Sequence, residues 1–157
     1  MFEQLKQHLQ DHHARFRVIE HAAEGNSEKV AAVRGTEVGQ GAKAMLCQIK
    51  EQPASLVLAI LPGDQKIDFK KLALAVKAKK TSFAAPEVAM AKTGCVIGAI
   101  PPFVFSEDIH LVVDPSLLAR YAEIAFNAGR LDASIVLNSE DYLRIAKPLL
   151  SDICATG

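Results

Sequence analysis

The stretch ASLVLAIL, Ala54–Leu61, constrains the fold more than any other part of the chain. Apolar side chains occupy both its odd and its even positions, and the turn Pro62-Gly63-Asp64 stops it. A strand that is apolar on both faces must be covered on both, so it is central in its sheet. AKAMLCQI, Ala42–Ile49, reads as a neighbouring strand joined to it through Lys50-Glu51-Gln52-Pro53. With 157 residues, half of them hydrophobic, the chain can bury one substantial core but not two ordinary ones. Residues 1–157 are therefore expected to form a single domain.

The other elements follow from periodicity and punctuation. Residues 2–13 read as a helix with Phe2, Leu5 and Leu9 on one face. RFRVIEH suits a strand. NSEKVAAVRG reads as a short helix capped at Asn26 or Ser27 and closed by Gly35. Asp68 caps a helix over FKKLALAVKA, and KTSFA returns as a short strand. Pro86 occupies the first turn of a helix closed by Gly94. IHLVVD, YAEIAFNAG and ASIVLN are strand candidates, and SEDYLRIAKPLL is expected as a final helix capped by Ser139. Strands and helices alternate without equal βαβ units. The expected class is α/β of the α+β kind, a mixed, partly closed, barrel-like sheet with helices outside.

TGCVIGAIPPF, Thr93–Phe103, breaks the pattern. Proline withholds a ladder hydrogen bond and glycine weakens a strand, so Gly98, Pro101 and Pro102 exclude an ordinary central strand. The segment is either a bulge or connection, or a stiff rim whose backbone grips a small polar ligand such as an amino-acid ammonium. Lys43 opens an otherwise apolar strand face shared with Met45, Cys47 and Ile49. Its head either reaches water beyond a packed stem, or enters a pocket to hold a phosphate or stabilise an oxyanion. Asn127 and Gly129 end a strand, as a turn or as a local hydrogen-bonding site. His21 follows a strand and reads as a surface residue or as one entering a pocket. His8 and His12 share a helix face, but no pattern completes a metal site. No nucleophile elbow, phosphate loop or dinucleotide fingerprint is present, and Cys47 reads as a small buried hydrophobe.

Charge narrows the function classes. Eighteen basic and eighteen acidic side chains cancel, which argues against non-specific nucleic-acid binding as a way of life. The distribution is uneven. Seven lysines face three acids between Asp64 and Lys92, whereas two arginines face seven acids between Glu107 and Asp141. The basic run is a solvated face or a small phosphate-contacting patch. Three cysteines without CxxC spacing suit reduced thiols, and neither a secretory signal nor a membrane-length apolar run is read, so a cytoplasmic location is expected.

Taken in order, AKAMLCQI with Lys43, VLAILPGDQKIDFKKLA, FAAPEVAMAKTGCVIGAIPPF and FNAGRLDASIVL resemble the YbaK-like family. These are free-standing aminoacyl-tRNA deacylases related to the editing domain inserted in bacterial prolyl-tRNA synthetase. The resemblance runs from about His21 to Lys147. The family's strand lysine falls on Lys43, its glycine-proline loop on Gly98-Ala99-Ile100-Pro101-Pro102, and its late loop on Asn127-Ala128-Gly129. Several relatives carry an acidic or hydroxyl residue where this chain has Ser134.

The resemblance implies hydrolysis of the ester between a small amino acid, such as alanine, serine, threonine or cysteine, and the 3′-terminal adenosine of a mischarged tRNA. It implies no protein nucleophile, no metal and no cofactor. Lys43 would then place the terminal adenosine or its phosphate and offset developing negative charge, and the loop from Gly98 to Pro101 would hold the ammonium with backbone carbonyls. The implied partners are the acceptor end of an aminoacyl-tRNA and a synthetase, with neither DNA nor a membrane. A second class, a non-catalytic module that binds an amino acid or aminoacyl adenosine, stands beside this one. Release of free amino acid from charged tRNA separates the two.

Overall fold

The computed structural model describes residues 1–156, apart from the side chains of residues 53 and 54. Gly157, the last residue of the expected domain, lies outside the described residues. In chain order the elements are α1 (Phe2–Asp11), β1 (Phe16–Glu20), α2 (Ser27–Arg34), β2 (Ala42–Ile49), β3 (Gln52–Pro62) and α3 (Phe69–Ala75). There follow β4 (Thr81–Phe83), α4 (Pro86–Thr93), β5 (Ile109–Val113), α5 (Pro115–Arg120), β6 (Glu123–Arg130), β7 (Ala133–Asn138), α6 (Ser139–Ala146) and β8 (Leu149–Leu150). Among the described residues no helix is long and apolar enough to cross a membrane.

The strands form a mixed five-stranded sheet, ordered β4-β2-β3-β5-β8, and an antiparallel three-stranded sheet, ordered β1-β7-β6. In the larger sheet β3 runs antiparallel to β2 and parallel to β5. It is central, as its two-sided apolar run requires. Leu56, Leu58 and Ile60 face the main core, where they meet Leu5 and Leu9 of α1, Phe126 of β6, Ile135 of β7 and Tyr142 of α6. Val57 and Ala59 face the opposite side, against Leu72 of α3 and Ile153. Burial of each such leucine or isoleucine stabilises the fold by roughly 1.5–3 kcal/mol relative to exposure.

The expected single curving sheet is thus two sheets. A parallel bridge between Gly41 and Ala125 links them, and no closed barrel is found among the described residues. The final helix is also shorter than its apolar pattern suggests. It stops at Ala146, Lys147 takes a left-handed φ of 48°, and Leu149 and Leu150 pair with β5 as strand. Pro148 is the cause, because it disfavours helical geometry in the residue before it and donates no hydrogen bond. Nor is Ser139 the cap. Asn138 accepts the amide of Asp141, and the Ser139 hydroxyl donates to the Tyr121 carbonyl at 2.7 Å.

Asp141 anchors α6 to the segment before β1. Its buried carboxylate accepts from the Arg15 amide at 2.8 Å and from Arg15 Nε at 3.0 Å. These bonds hold its pKa down at about 2. A folded-state pKa below the unfolded value of ~3.9 contributes stability at neutral pH that is lost as pH falls through the folded value. Asp141→Asn is therefore expected to lower the melting temperature at neutral pH and to flatten its decline between roughly pH 4 and pH 2. Melting curves across that range check this, and parallel acid limbs for the two proteins would refute it.

Candidate active site

From Cys95 to Phe103 the chain takes neither helical nor strand structure. Gly98 has a φ of +92°, and a Cβ there would lie 3.2 Å from the Gly25 Cα, so only glycine fits. Four hydrogen bonds fix the path. Ala99 donates to the Val96 carbonyl, and Asn127 Nδ2 donates to the Gly98 carbonyl at 2.8 Å. Gly129 N–H donates to the Ala99 carbonyl at 2.9 Å, and the Tyr142 hydroxyl donates to the Pro102 carbonyl at 2.6 Å. The carbonyls of Ile97 and Ile100 accept no protein hydrogen bond among the described residues. The unusual composition thus produces a rigid rim with spare acceptors.

This rim faces a cleft of about 290 Å³, closed on the other sides by the start of α2 and the first residues of β2. Gly98, Ile100, Lys43 and Asn127 all line it. Ala99 is buried in the main core, and Pro101 lines a neighbouring hollow with Leu46, Leu58 and Phe103. Within the Gly-Pro segment, Ile97 and Gly98 line the cleft, Ala99 and Pro101 lie behind it, and Ile100, buried in the main core, borders both hollows.

Lys43 stands on the β2 face that also carries Met45, Cys47 and Ile49, as strand alternation predicts. Half-buried, its ammonium donates to the Gln65 carbonyl in the turn after β3. No carboxylate lies within 4 Å of it among the described residues. Burial pushes its pKa down.

A second cation lines the same cleft, and it was not among the residues singled out from the sequence. Arg34, in the last turn of α2, donates from Nε to Ser134 Oγ at 2.6 Å and from Nη2 to Asn127 Oδ1 at 3.0 Å. It too has no carboxylate partner among the described residues, and desolvation lowers its pKa to about 10. A basic residue at a helix C-terminus ordinarily reads as a solvated complement to the helix dipole. Its spacing of four from buried Val30, which puts both on one helix face, is the signal that could have exposed it.

Asn127 and Gly129 lie within β6, at a bulge where the register with β7 shifts, and not in a loop after the strand. Asn127 is the hub of the site. Its amide donates to the carbonyls of Glu24 and Gly98, while Oδ1 accepts from Arg34 and from Ser134. Gly129 has a φ of +84° and packs against Met1, away from the cleft.

Ser134 is fully buried behind Asn127 and Arg34. His21 Nε2 lies 2.7 Å from its hydroxyl, which has the spacing of an activated serine. However, Arg34 occupies a lone pair of that oxygen and no solvent reaches it, so no acyl carbon can approach. The pair supports Asn127; it is not a nucleophile. His21 Nδ1 lies 2.8 Å from the Ala22 carbonyl, which requires a proton on Nδ1.

Other reactive side chains are remote or masked. Burial pushes the Cys47 thiol up to about 12. Among the described residues no group of three His, Cys, Asp or Glu side chains could hold a metal. The cleft thus presents two cations, no lining carboxylate and a rim of carbonyls. Such a site can stabilise negative charge on oxygen while holding an ammonium a few ångströms away.

Known proteins share this architecture. The crystal structure of a hypothetical protein superposes with a TM-score of 0.87 at 16% identity, covering 97% of this chain and 99% of that one. A candidate trans-editing enzyme for prolyl tRNA synthetase superposes with a TM-score of 0.83 at 22% identity, covering 99% and 97%. In sequence, the multifunctional Ser/Thr-tRNA deacylase ProXp-y of Escherichia coli (strain K12) is 49% identical over 145 residues, 92% of this chain and 87% of that protein. The family model for the aminoacyl-tRNA editing domain matches residues 21–145, a span that opens at His21 and takes in Lys43, the Gly98 rim and Asn127. The chain belongs to the aminoacyl-tRNA editing domain family.

Proposed function

We propose that this protein hydrolyses, in trans, the ester that joins a wrongly attached small amino acid to the 3′-terminal adenosine of a tRNA, with serine and threonine as its principal targets. The observation that carries this reading is the pairing of Lys43 and Arg34, two cations without carboxylate partners, with the carbonyl rim of the Gly98 segment in one small cleft. Family membership and 49% identity to a Ser/Thr-tRNA deacylase support the choice of ester and of amino acid.

Aminoacyl esters are activated, so the protein need only position groups and stabilise charge. The α-ammonium of the amino acid sits against the free carbonyls of Ile97 and Ile100. Water attacks the ester carbon, giving up a proton to bulk water or to the neighbouring ribose hydroxyl, which relays its own proton to the departing ribose oxygen. The oxyanion that forms lies toward Lys43. The ester C–O bond then breaks, and the departing ribose oxygen takes up a proton. Asn127 keeps the rim in place, with Ser134 and His21 behind it. The two sheets, bridged at Gly41, act as a partly closed, barrel-like wall behind this cleft, within one domain spanning the chain. We place the reaction in the cytoplasm, where charged tRNA is used, with a synthetase as the source of mischarged substrate and a docking partner.

Incubation with a panel of aminoacyl-tRNAs tests the reading. Release of serine and threonine from mischarged tRNA, faster than spontaneous hydrolysis, is the expected result. Binding without release from any member would leave only a recognition module. The exposed lysines Lys77, Lys79 and Lys80 make no ion pair among the described residues. Their combined replacement by glutamine is expected to raise KM and to flatten its dependence on salt, because fewer counterions are released from the tRNA backbone. The single-turnover rate on bound substrate should hold. An unchanged salt slope would make this run a solvated face only.

A further inference from the structure

On the far side of Lys43 a second, shallower hollow of about 260 Å³ opens, and Lys43 and Met45 belong to both. Phe69, Phe83, Ile67 and Lys66 complete it. Phe83 stands opposite Cys47 on the edge strand β4, on the same sheet face as Lys43 and Met45, and half of its surface is exposed. Its ring meets Phe69 edge-on, with centroids 4.8 Å apart and planes at 85°. The arrangement is held from beneath, since the Thr81 hydroxyl donates to the Phe69 carbonyl at 2.8 Å and Asp68 caps α3. Lys66 is exposed and, like Lys43, has no carboxylate within 4 Å among the described residues.

A fixed, water-exposed aromatic face beside two unpaired ammonium groups matches the chemistry of a nucleotide. The base stacks on the ring and the phosphate meets the cations. The hollow joins the catalytic cleft at Lys43, where the deacylase reading places the ester. The group next along the same substrate molecule is the ribose with its base. We propose that this hollow seats the terminal adenine of the tRNA acceptor end, stacked on Phe83, with Lys66 against the adjoining phosphate. The proposal rests on the deacylase reading and goes beyond it by assigning the nucleobase to particular side chains.

Phe83→Ala is expected to raise KM for seryl-tRNA by about 5- to 100-fold, the range for loss of one base–aromatic stack, with the effect falling on KM and not on the single-turnover rate at saturation. A seryl-tRNA lacking only its terminal base should show the same rise with the unaltered protein and no further rise with Phe83→Ala. Phe83→Leu keeps the bulk without the aromatic face and should behave like alanine; melting curves confirm that both variants fold. The chain contains no tryptophan, so Phe83→Trp introduces a single indole reporter. Its fluorescence should be quenched by uncharged tRNA and far less by tRNA without the terminal base. This readout needs no hydrolysis, so it decides the proposal even if the panel assay shows no deacylation. Penalties that multiply between Phe83→Ala and the abasic substrate, or an indole that responds equally to both RNAs, would overturn it.

Discussion

Lys43→Ala is expected to slow single-turnover deacylation of seryl-tRNA by about 100-fold or more, the scale seen when one preorganised charge-stabilising group is removed. The reason lies in where the ammonium is held. Strand alternation puts Lys43 at the mouth of the β2 face, and the Gln65 carbonyl orients its Nζ without neutralising it. Its full charge stays available to a developing oxyanion in a partly desolvated cleft, where each Coulomb interaction is stronger than in water. Lys43→Arg should rescue poorly, because a planar fork cannot reproduce a compact ammonium pointed by one carbonyl. Melting temperature should change little, since no ion pair is lost among the described residues. Turnover near that of the unaltered protein in the alanine variant would remove the lysine from the mechanism.

The second large effect is expected at Arg34, and it runs in opposite directions for activity and stability. Arg34→Met should lower kcat/KM by about 100-fold, because it removes a cation from the cleft and a donor from the Asn127 hub. The same change should leave the melting temperature unchanged or raise it. Desolvation already penalises the charged guanidinium, with no carboxylate to offset the cost. Asn127 Oδ1 is not orphaned either, because Ser134 still donates to it. Arg34→Lys retains charge but loses the two-pronged geometry, so it should recover only part of the activity. A variant with intact activity and a melting temperature several degrees lower would show that Arg34 is a structural clamp.

Both effects bear on how such a cleft discriminates. A substrate ammonium is attracted only by the rim carbonyls and is repelled by Lys43 and Arg34, so its position along the cleft is set by opposing forces. The proposed reading has the ammonium at the carbonyls of Ile97 and Ile100 and the ester carbonyl toward the lysine. The alanines Ala42 and Ala44 on the β2 wall leave space for a small side chain there.

Much of this molecule was legible in the chain itself, because the signals involved are local. The two-sided apolar run at Leu56–Leu61 made β3 central, since burial on both faces leaves no other place for it. Asn26, Asp68, Pro86, Gly35 and Gly94 marked helix ends correctly, because capping depends on side chains and dihedrals within a single turn. Alternation likewise put Lys43 on the face of Met45 and Cys47. What only the tertiary structure decided was which distant residues converge. Arg34 looked like an ordinary helix-ending base until β6 and β7 brought Asn127 and Ser134 within hydrogen-bonding reach of it. Gly98 and Gly25 are far apart in sequence, yet their backbones touch, and that contact aims the rim at the cleft. The split into two sheets, linked by an isolated bridge from Gly41 to Ala125, rests on pairings between residues remote in sequence. Periodicity reports which face of an element is buried. It carries no information about what that face meets, because the partner is chosen by long-range packing.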